Sequence, residues 1–176
     1  MAGTYIEFLR PGYTQLWTAD LPYTAGSGDA SGVNPLNPSD ARPLVEGEFL
    51  EKSGSDKFTR GGNNVVTVSG TPDGEGTNPA FLYFAEKGRY DAQVTKRCHV
   101  AMGPSGFEFR TKLCDSGSIG VNDKVSVWDH DMDVSGGVVR RVLAQKSGGS
   151  AFIVGYVTRV FGTDDIAVFY CPQHLA

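Results

Sequence analysis

No apolar run in this chain approaches the roughly 20 residues that a membrane-crossing helix needs. The first 21 residues set Glu7, Arg10, Pro11 and Asp20 among their apolar ones, so a secretory signal is not expected either. Cysteine is scarce. Cys98, Cys114 and Cys171 are odd in number and far apart, which argues against both a disulfide framework and a Cys-x-x-Cys metal or redox site. They are expected as reduced core thiols, with Cys98 near Cys114 if their strands are neighbours. Basic residues are few and scattered: 16 Lys and Arg stand against 20 Asp and Glu, for a formal net charge of -4. No basic face for neutralising a phosphate backbone is therefore expected, and nucleic acid is set aside as a partner. The expected location is the cytoplasm in which the chain is made, until it joins something larger.

Catalytic signatures are missing as well. The histidines are His99, His130 and His174, and none lies in a GxSxG, HExxH or Cys/His context. His99 follows Cys98, but neighbours on a strand point to opposite faces and do not form a dyad. His174 is within the last three residues. The glycine-rich pieces GTPDGEG and SGGS lack the lysine and the strand-loop-helix setting of a phosphate cradle, and read as turns. Carboxylate pairs for glycoside hydrolysis can be assembled from Glu46, Glu48, Glu51 or from Asp164 and Asp165, as in any acidic β protein. The expectation is a protein that is not an enzyme and holds no cofactor.

What the chain does have is glycine (23), proline (9) and 11% aromatic residues, the composition of many short strands joined by tight turns. From Pro43 on, nine strand-like segments follow at short intervals: LVEGEFLEK, FTRGGNNVVTVSG, AFLYFAE, RYDAQVTKRCHVAMG, FEFRTKLC, KVSVWD, VVRRVLAQ, FIVGYVTRVFG and IAVFYC. Phe107, Phe109, Thr111 and Leu113 alternate with Glu108, Arg110 and Lys112, and Val125 and Val127 with Lys124 and Ser126. That is the period of a strand with one wet face. VVRRVLAQ is the one run that fits a helix, yet its β-branched residues and the preceding Gly136-Gly137 favour strand. The fold class expected is all-β, a small β-barrel or sandwich, over residues 43–176.

Residues 1–42 differ. Short apolar pieces, TYIEFL and TQLWTADLPY, lead into AGSGDASGVNPLNPSDARP, which cannot bury enough apolar surface for a core segment. An extended N-terminal arm or linker is expected, whose removal leaves a folded barrel. Tyr5, Phe8, Tyr13 and Trp17 are its candidate partner-binding anchors, because aromatic side chains dominate interface energetics.

The best candidate cation site is WDHDMD, where Asp129, Asp131 and Asp133 alternate around His130 as in the opening of a calcium loop. The register then fails: Val134 and Arg140 stand where an EF-hand needs glycine and glutamate. A solvated hairpin tip is the expectation, and no metal is assigned.

The order of segments from Leu44 to Cys171 resembles the small β-barrel decoration, or cement, proteins that coat the heads of tailed bacteriophages. The matching pieces are LVEGEFLE, then GRYDAQVTKRCHVAMGPSGFEFRTKLCD, then GVNDKVSVWD, and last VGYVTRVFGTDDIAVFY, together roughly the last three quarters of the chain. The cysteines and the DHDMD tip depart from the pattern. The resemblance implies a structural virion protein that binds late to an assembled head as a homotrimer, bridges subunits of the major capsid protein and stabilises the capsid surface. Two other classes stay open: a ligand- or receptor-binding β module using TPDGEGTNP and WDHDMDVSGG, and a small barrel enzyme using Asp129, Asp131 and Asp133 or His99.

Overall fold

A computed structural model describes residues 6–10, 18–24, 36, 44–53, 57–59, 79–84, 96–101, 106–115, 119–134, 137–145 and 152–174. Every element among them is a strand, so the all-β expectation holds. The strands are β1 (Ile6–Arg10), β2 (Thr18–Pro22), β3 (Phe49–Ser53), β4 (Lys57–Thr59), β5 (Ala80–Tyr83) and β6 (Arg97–Ala101), then β7 (Phe107–Thr111), β8 (Cys114–Asp115), β9 (Lys124–Val134), β10 (Gly137–Gln145), β11 (Phe152–Gly162) and β12 (Asp165–His174). A seven-stranded sheet runs β1-β7-β12-β11-β9-β10-β8, and a five-stranded sheet runs β2-β6-β5-β3-β4. Pairing is antiparallel except between β10 and β8. VVRRVLAQ is strand β10, as its branched residues imply.

Both sheets curl, and the end strands of the small one meet. In the large sheet β7 and β8 are consecutive in the chain but lie five strand spacings apart across the sheet. A flat sheet would separate them by roughly 24 Å, whereas Thr111 to Cys114 spans at most about 10 Å. The sheet must therefore roll up. FEFRTKLC, expected as one strand, breaks at Lys112: the Thr111 hydroxyl accepts a hydrogen bond from Leu113 N (3.0 Å), and Leu113 O accepts from Leu143 N (3.0 Å), handing the chain from β7 to the β10 edge. In the small sheet Tyr23, just past β2, bridges Phe58 of β4, and Thr24 N donates to Phe58 O at 2.8 Å.

Closure gives β3, β5 and β6 of the small sheet residues buried on both faces. Leu50, Phe58, Tyr83, Cys98 and Val100 turn inward and pack with Leu36, Ala19, Leu21, Tyr23, Leu44 and Phe81. Their neighbours Phe49, Leu82, Phe84 and Ala101 turn outward into the larger core with Phe107, Phe109, Val125, Val154, Ile166, Val168 and Tyr170. Cys98 and Cys114 thus lie in different cores, and the expected proximity of this pair is corrected. All three cysteines are free: Cys98 and Cys114 are buried and Cys171 is half-buried. Burial, the leading cause, pushes the Cys98 thiol up to about 12.

The 1–42 segment supplies a strand to each sheet. β1 pairs with β7, from Ile6↔Thr111 to Arg10↔Glu108, and Ile6 is buried in the larger core. β2 pairs with β6, from Thr18↔Ala101 to Pro22↔Arg97, and Arg97 donates to both the carboxylate and the carbonyl of Asp20. The expectation that the chain stays folded without this segment is revised accordingly. Deleting residues 1–42 removes one edge from each sheet, and the expected outcome is loss of the cooperative thermal transition, read by circular dichroism.

Glycine is required at two backbone approaches. Gly47 sits at φ +105 in the turn before β3, where a Cβ would lie 3.2 Å from Leu113 Cδ1. The turn is tied by Glu48 N to Val45 O (3.0 Å), by Val45 N to Glu48 Oε2 (2.6 Å) and by Gly47 N to Tyr83 O (2.9 Å). Gly155 lies at a bulge in β11, where a Cβ would come within 2.1 Å of the Phe169 carbonyl oxygen on β12. Backbone there cannot yield without breaking the ladder. Gly155→Ala is expected to cost about 3 kcal/mol or more. In a chain of this size that lowers Tm by roughly 6–12 °C, measurable by calorimetry.

Candidate functional site

The candidate site is the outer face of β7, β12 and β11. Strand alternation sends Phe107 and Phe109 of β7 into the core and Glu108 and Arg110 outward. In β12, Ala167 stands opposite Arg110 and Phe169 opposite Glu108. β11 is longer than its partner by extra residues: the register slips between Val157 and Arg159 and again between Val160 and Gly162. Such bulges re-aim side chains. Here they leave Arg159 opposite Ala167 and free Phe161 from the ladder beside Arg110.

An ordered charge network results. Arg110 grips Asp165 with two parallel hydrogen bonds, Nε to Oδ1 and Nη2 to Oδ2, both 2.7 Å. Arg159 donates to Glu108 Oε1 from Nε (3.3 Å) and Nη2 (3.1 Å), and the Thr158 hydroxyl donates to the same oxygen at 2.6 Å. The wet face expected of β7 is therefore only partly wet, because Glu108 is roofed by Thr158 and Arg159 while Lys112 stays exposed. Both guanidinium groups lie over the Phe161 ring, Arg110 at 4.2 Å and Arg159 at 5.5 Å from its centroid. Phe161 and Phe169 nonetheless remain 45% and 40% exposed, and with Val160 and Val121 they make up the exposed large apolar residues among those described. Val121 belongs to the GVND turn, which is fastened to β11 by Asn122 N to Val157 O (2.8 Å) and Val157 N to Asp123 O (2.9 Å). Within that turn Asp123 Oδ2 accepts from Gly120 N (2.7 Å) and Gln145 Nε2 (3.1 Å).

The residues singled out from sequence fall elsewhere. Phe8 packs edge-on against Phe84 and Phe107, both at 5.6 Å, so its ring serves the protein's own core. Tyr5, Tyr13 and Trp17 lie outside the described residues. Asp129, His130, Asp131 and Asp133 are on β9, with side chains outside the described set; the backbone pairing slips between Asp129↔Arg141 and Met132↔Val139, which interrupts the two-residue repeat between them. TPDGEGTNP up to Asn78 and the SGGS turn also lie outside the described residues. His99 packs edge-on against Phe84 at 4.7 Å, while Cys98 turns into the other core, so the adjacent pair points apart as expected. Of the carboxylates considered, Asp165 is engaged by Arg110 and Glu48 by Val45 N. His174 ends β12 opposite Phe152. Among the described residues no three His, Cys, Asp or Glu side chains gather as metal ligands.

The Phe161 network left only a partial trace in the sequence. VTRVFGTDD places an arginine and a phenylalanine before a turn rich in acids, a signal visible once the hairpin is drawn. What the alternation rule could not supply was the pair of bulges that aims them. Comparison of the chain with known protein families, curated proteins and solved structures finds no match.

Hydrogen bonds from Arg110, followed by its charge and that of Lys112, hold the Asp165 carboxyl below its ordinary 3.8, against the opposing effect of desolvation. A carboxyl depressed in the folded state contributes stability above its unfolded value and loses it as pH falls through the folded one. Asp165→Asn is thus expected to lower Tm by a few degrees near neutral pH, the exposed setting of Arg110 keeping the effect small. The gap to the unsubstituted protein should close as pH drops below about 4. Thermal unfolding followed from neutral to acid pH checks this.

Proposed function

We propose that the protein is a non-enzymatic structural component of a virion, decorating the capsid of a tailed bacteriophage as a homotrimer that bridges major capsid protein subunits. The observation that carries the reading is the outer face of β11 and β12: exposed Phe161 beneath two ion-paired arginines, with exposed Phe169 on the adjoining strand. Arginine and aromatic residues are the types enriched where proteins bind proteins. Exposed aromatic surface is otherwise a liability for a soluble chain. The resemblance in segment order supports the same reading, and three of its four quoted pieces fall on structural joints. LVEGEFLE makes the glycine turn into β3, GVNDK makes the turn that clamps β11, and VGYVTRVFGTDDIAVFY makes the β11–β12 hairpin. Meeting of the small sheet's end strands also limits edge-to-edge aggregation there, which suits a protein that stays apart until its large partner exists. Many copies placed by symmetry convert modest contacts into firm attachment.

The test is light scattering of the purified protein, followed by sedimentation with undecorated phage heads. A trimer that pellets with the heads is expected, together with heads that withstand heating better than bare ones. A monomer left wholly in the supernatant would overturn the proposal.

A further inference from the structure

We infer that the Phe161–Arg110–Arg159 face is a docking surface for a protein patch that presents carboxylates around an apolar side chain. Resting on the reading above, that patch belongs to a capsid subunit. Three observations lead there. First, the counter-charges lie underneath: the Glu108 and Asp165 side chains are 6% and 15% exposed, while those of Arg159 and Arg110 are 48% and 33% exposed. The outward layer is therefore guanidinium and phenyl, although the chain as a whole is acidic. Exposed Lys112 follows β7 on the same side, while exposed Glu7 opposite Arg110 and half-buried Asp164 in the hairpin turn border the face with negative charge.

Second, each arginine spends Nε and Nη2 on its buried carboxylate, which leaves the Nη1 amino group without an acceptor among the described residues. These donors are already oriented, because the ion pairs and the Phe161 ring fix both guanidinium planes. A carboxylate arriving from outside completes them with little further loss of side-chain freedom. Third, the exposed rings of Phe161 and Phe169 call for apolar surface next to those carboxylates. A densely charged polyanion is a poor occupant: a chain of net charge -4 repels it at long range, whereas a protein patch with a few carboxylates is not so penalised.

Two measurements on the full chain test this. In the first, Phe161→Ala and, as a control away from the face, Thr24→Ala are compared with the unsubstituted protein for binding to undecorated heads. Both residues are exposed, so the variants should fold and sediment alike. Phe161→Ala is expected to weaken binding by about tenfold or more, the scale of an interface hot spot, and Thr24→Ala to leave it unchanged. In the second, the Nε–H resonances of Arg110 and Arg159 are followed by NMR during titration with a peptide of alternating aspartate and leucine, and separately with duplex DNA. Shifts with the peptide that vanish in Phe161→Ala are expected. Phe161→Ala binding heads as tightly as the unsubstituted protein overturns the inference and leaves the decoration reading standing. If the unsubstituted protein ignores heads, the decoration reading falls and the peptide titration decides the face by itself. Resonances that stay still with peptide, or that move only with DNA, overturn the docking surface in either case.

Discussion

An aromatic seam joins the two sheets, and the rest of the molecule is arranged around it. Tyr170 of β12 lies fully buried, stacked on Phe107 at 4.6 Å and edge-on to Phe109 at 6.3 Å. Its hydroxyl reaches across to the carbonyl of Ala101 on β6 at 3.4 Å, and its own carbonyl accepts from Gly106 N. Burial alone pushes that phenol above its ordinary range, which keeps it neutral and a hydrogen-bond donor. Phe49 from β3 packs tilted against Phe109, and Phe8 from β1 bridges Phe84 and Phe107. Side chains from both sheets thus meet in one dry layer, and rings of this size bury enough surface to dominate its energetics. Neither sheet can move relative to the other without opening it.

That constraint explains why closure and bulging occur where they do. With the inner face of the large sheet committed to the seam, β7 and β8 must roll around it within the short reach of Lys112 and Leu113. A tightly rolled sheet strains its longest hairpin, and the register slips of β11 at Ile153/Gly155, Val157/Arg159 and Val160/Gly162 take up the curvature. Gly155 admits the Phe169 carbonyl where the backbones come closest. The later slips turn Arg159 and Phe161 onto the outer face. The candidate site is in this sense a by-product of curvature, and its position follows from the core beneath it.

Much of the fold was legible because strands announce themselves locally. Phe107, Phe109, Thr111 and Leu113 are all buried at the spacing that the alternation demanded, and Val125 and Val127 likewise. The failures have a common physical root in non-local pairing. Ser126 and Glu108 were assigned to wet faces, yet Ser126 is buried and Glu108 is roofed by residues from β11, fifty positions away in the chain. Ile6 and Leu21 looked like pieces of an arm because a glycine- and proline-rich stretch follows them; their partners on β7 and β6 lie far downstream. Cys98 and Cys114 could be placed on strands but not in cores, since which face of a small rolled sheet looks inward depends on its closure. The face around Phe161 was the least legible part, because bulges set its geometry and a two-residue repeat cannot foresee them.

Rigidity and recognition are linked through the same buried carboxylates. Glu108 and Asp165 lose hydration as they sit beneath the arginines, a cost recovered only while the guanidinium groups stay in place with good geometry. The network therefore holds Arg110 and Arg159 still even without a partner, and Phe161 gives both planes a surface to lie on. A flexible arginine would forfeit rotamer entropy on docking; one already fixed by its own ion pair forfeits little. A carboxylate pair that contributes modestly to folding can in this way contribute more to association than a larger number of mobile surface charges. Under the proposed decorating role the saving would recur at every copy, and attachment strength would then depend more on the stiffness of the seam beneath the face than on the area of the face itself.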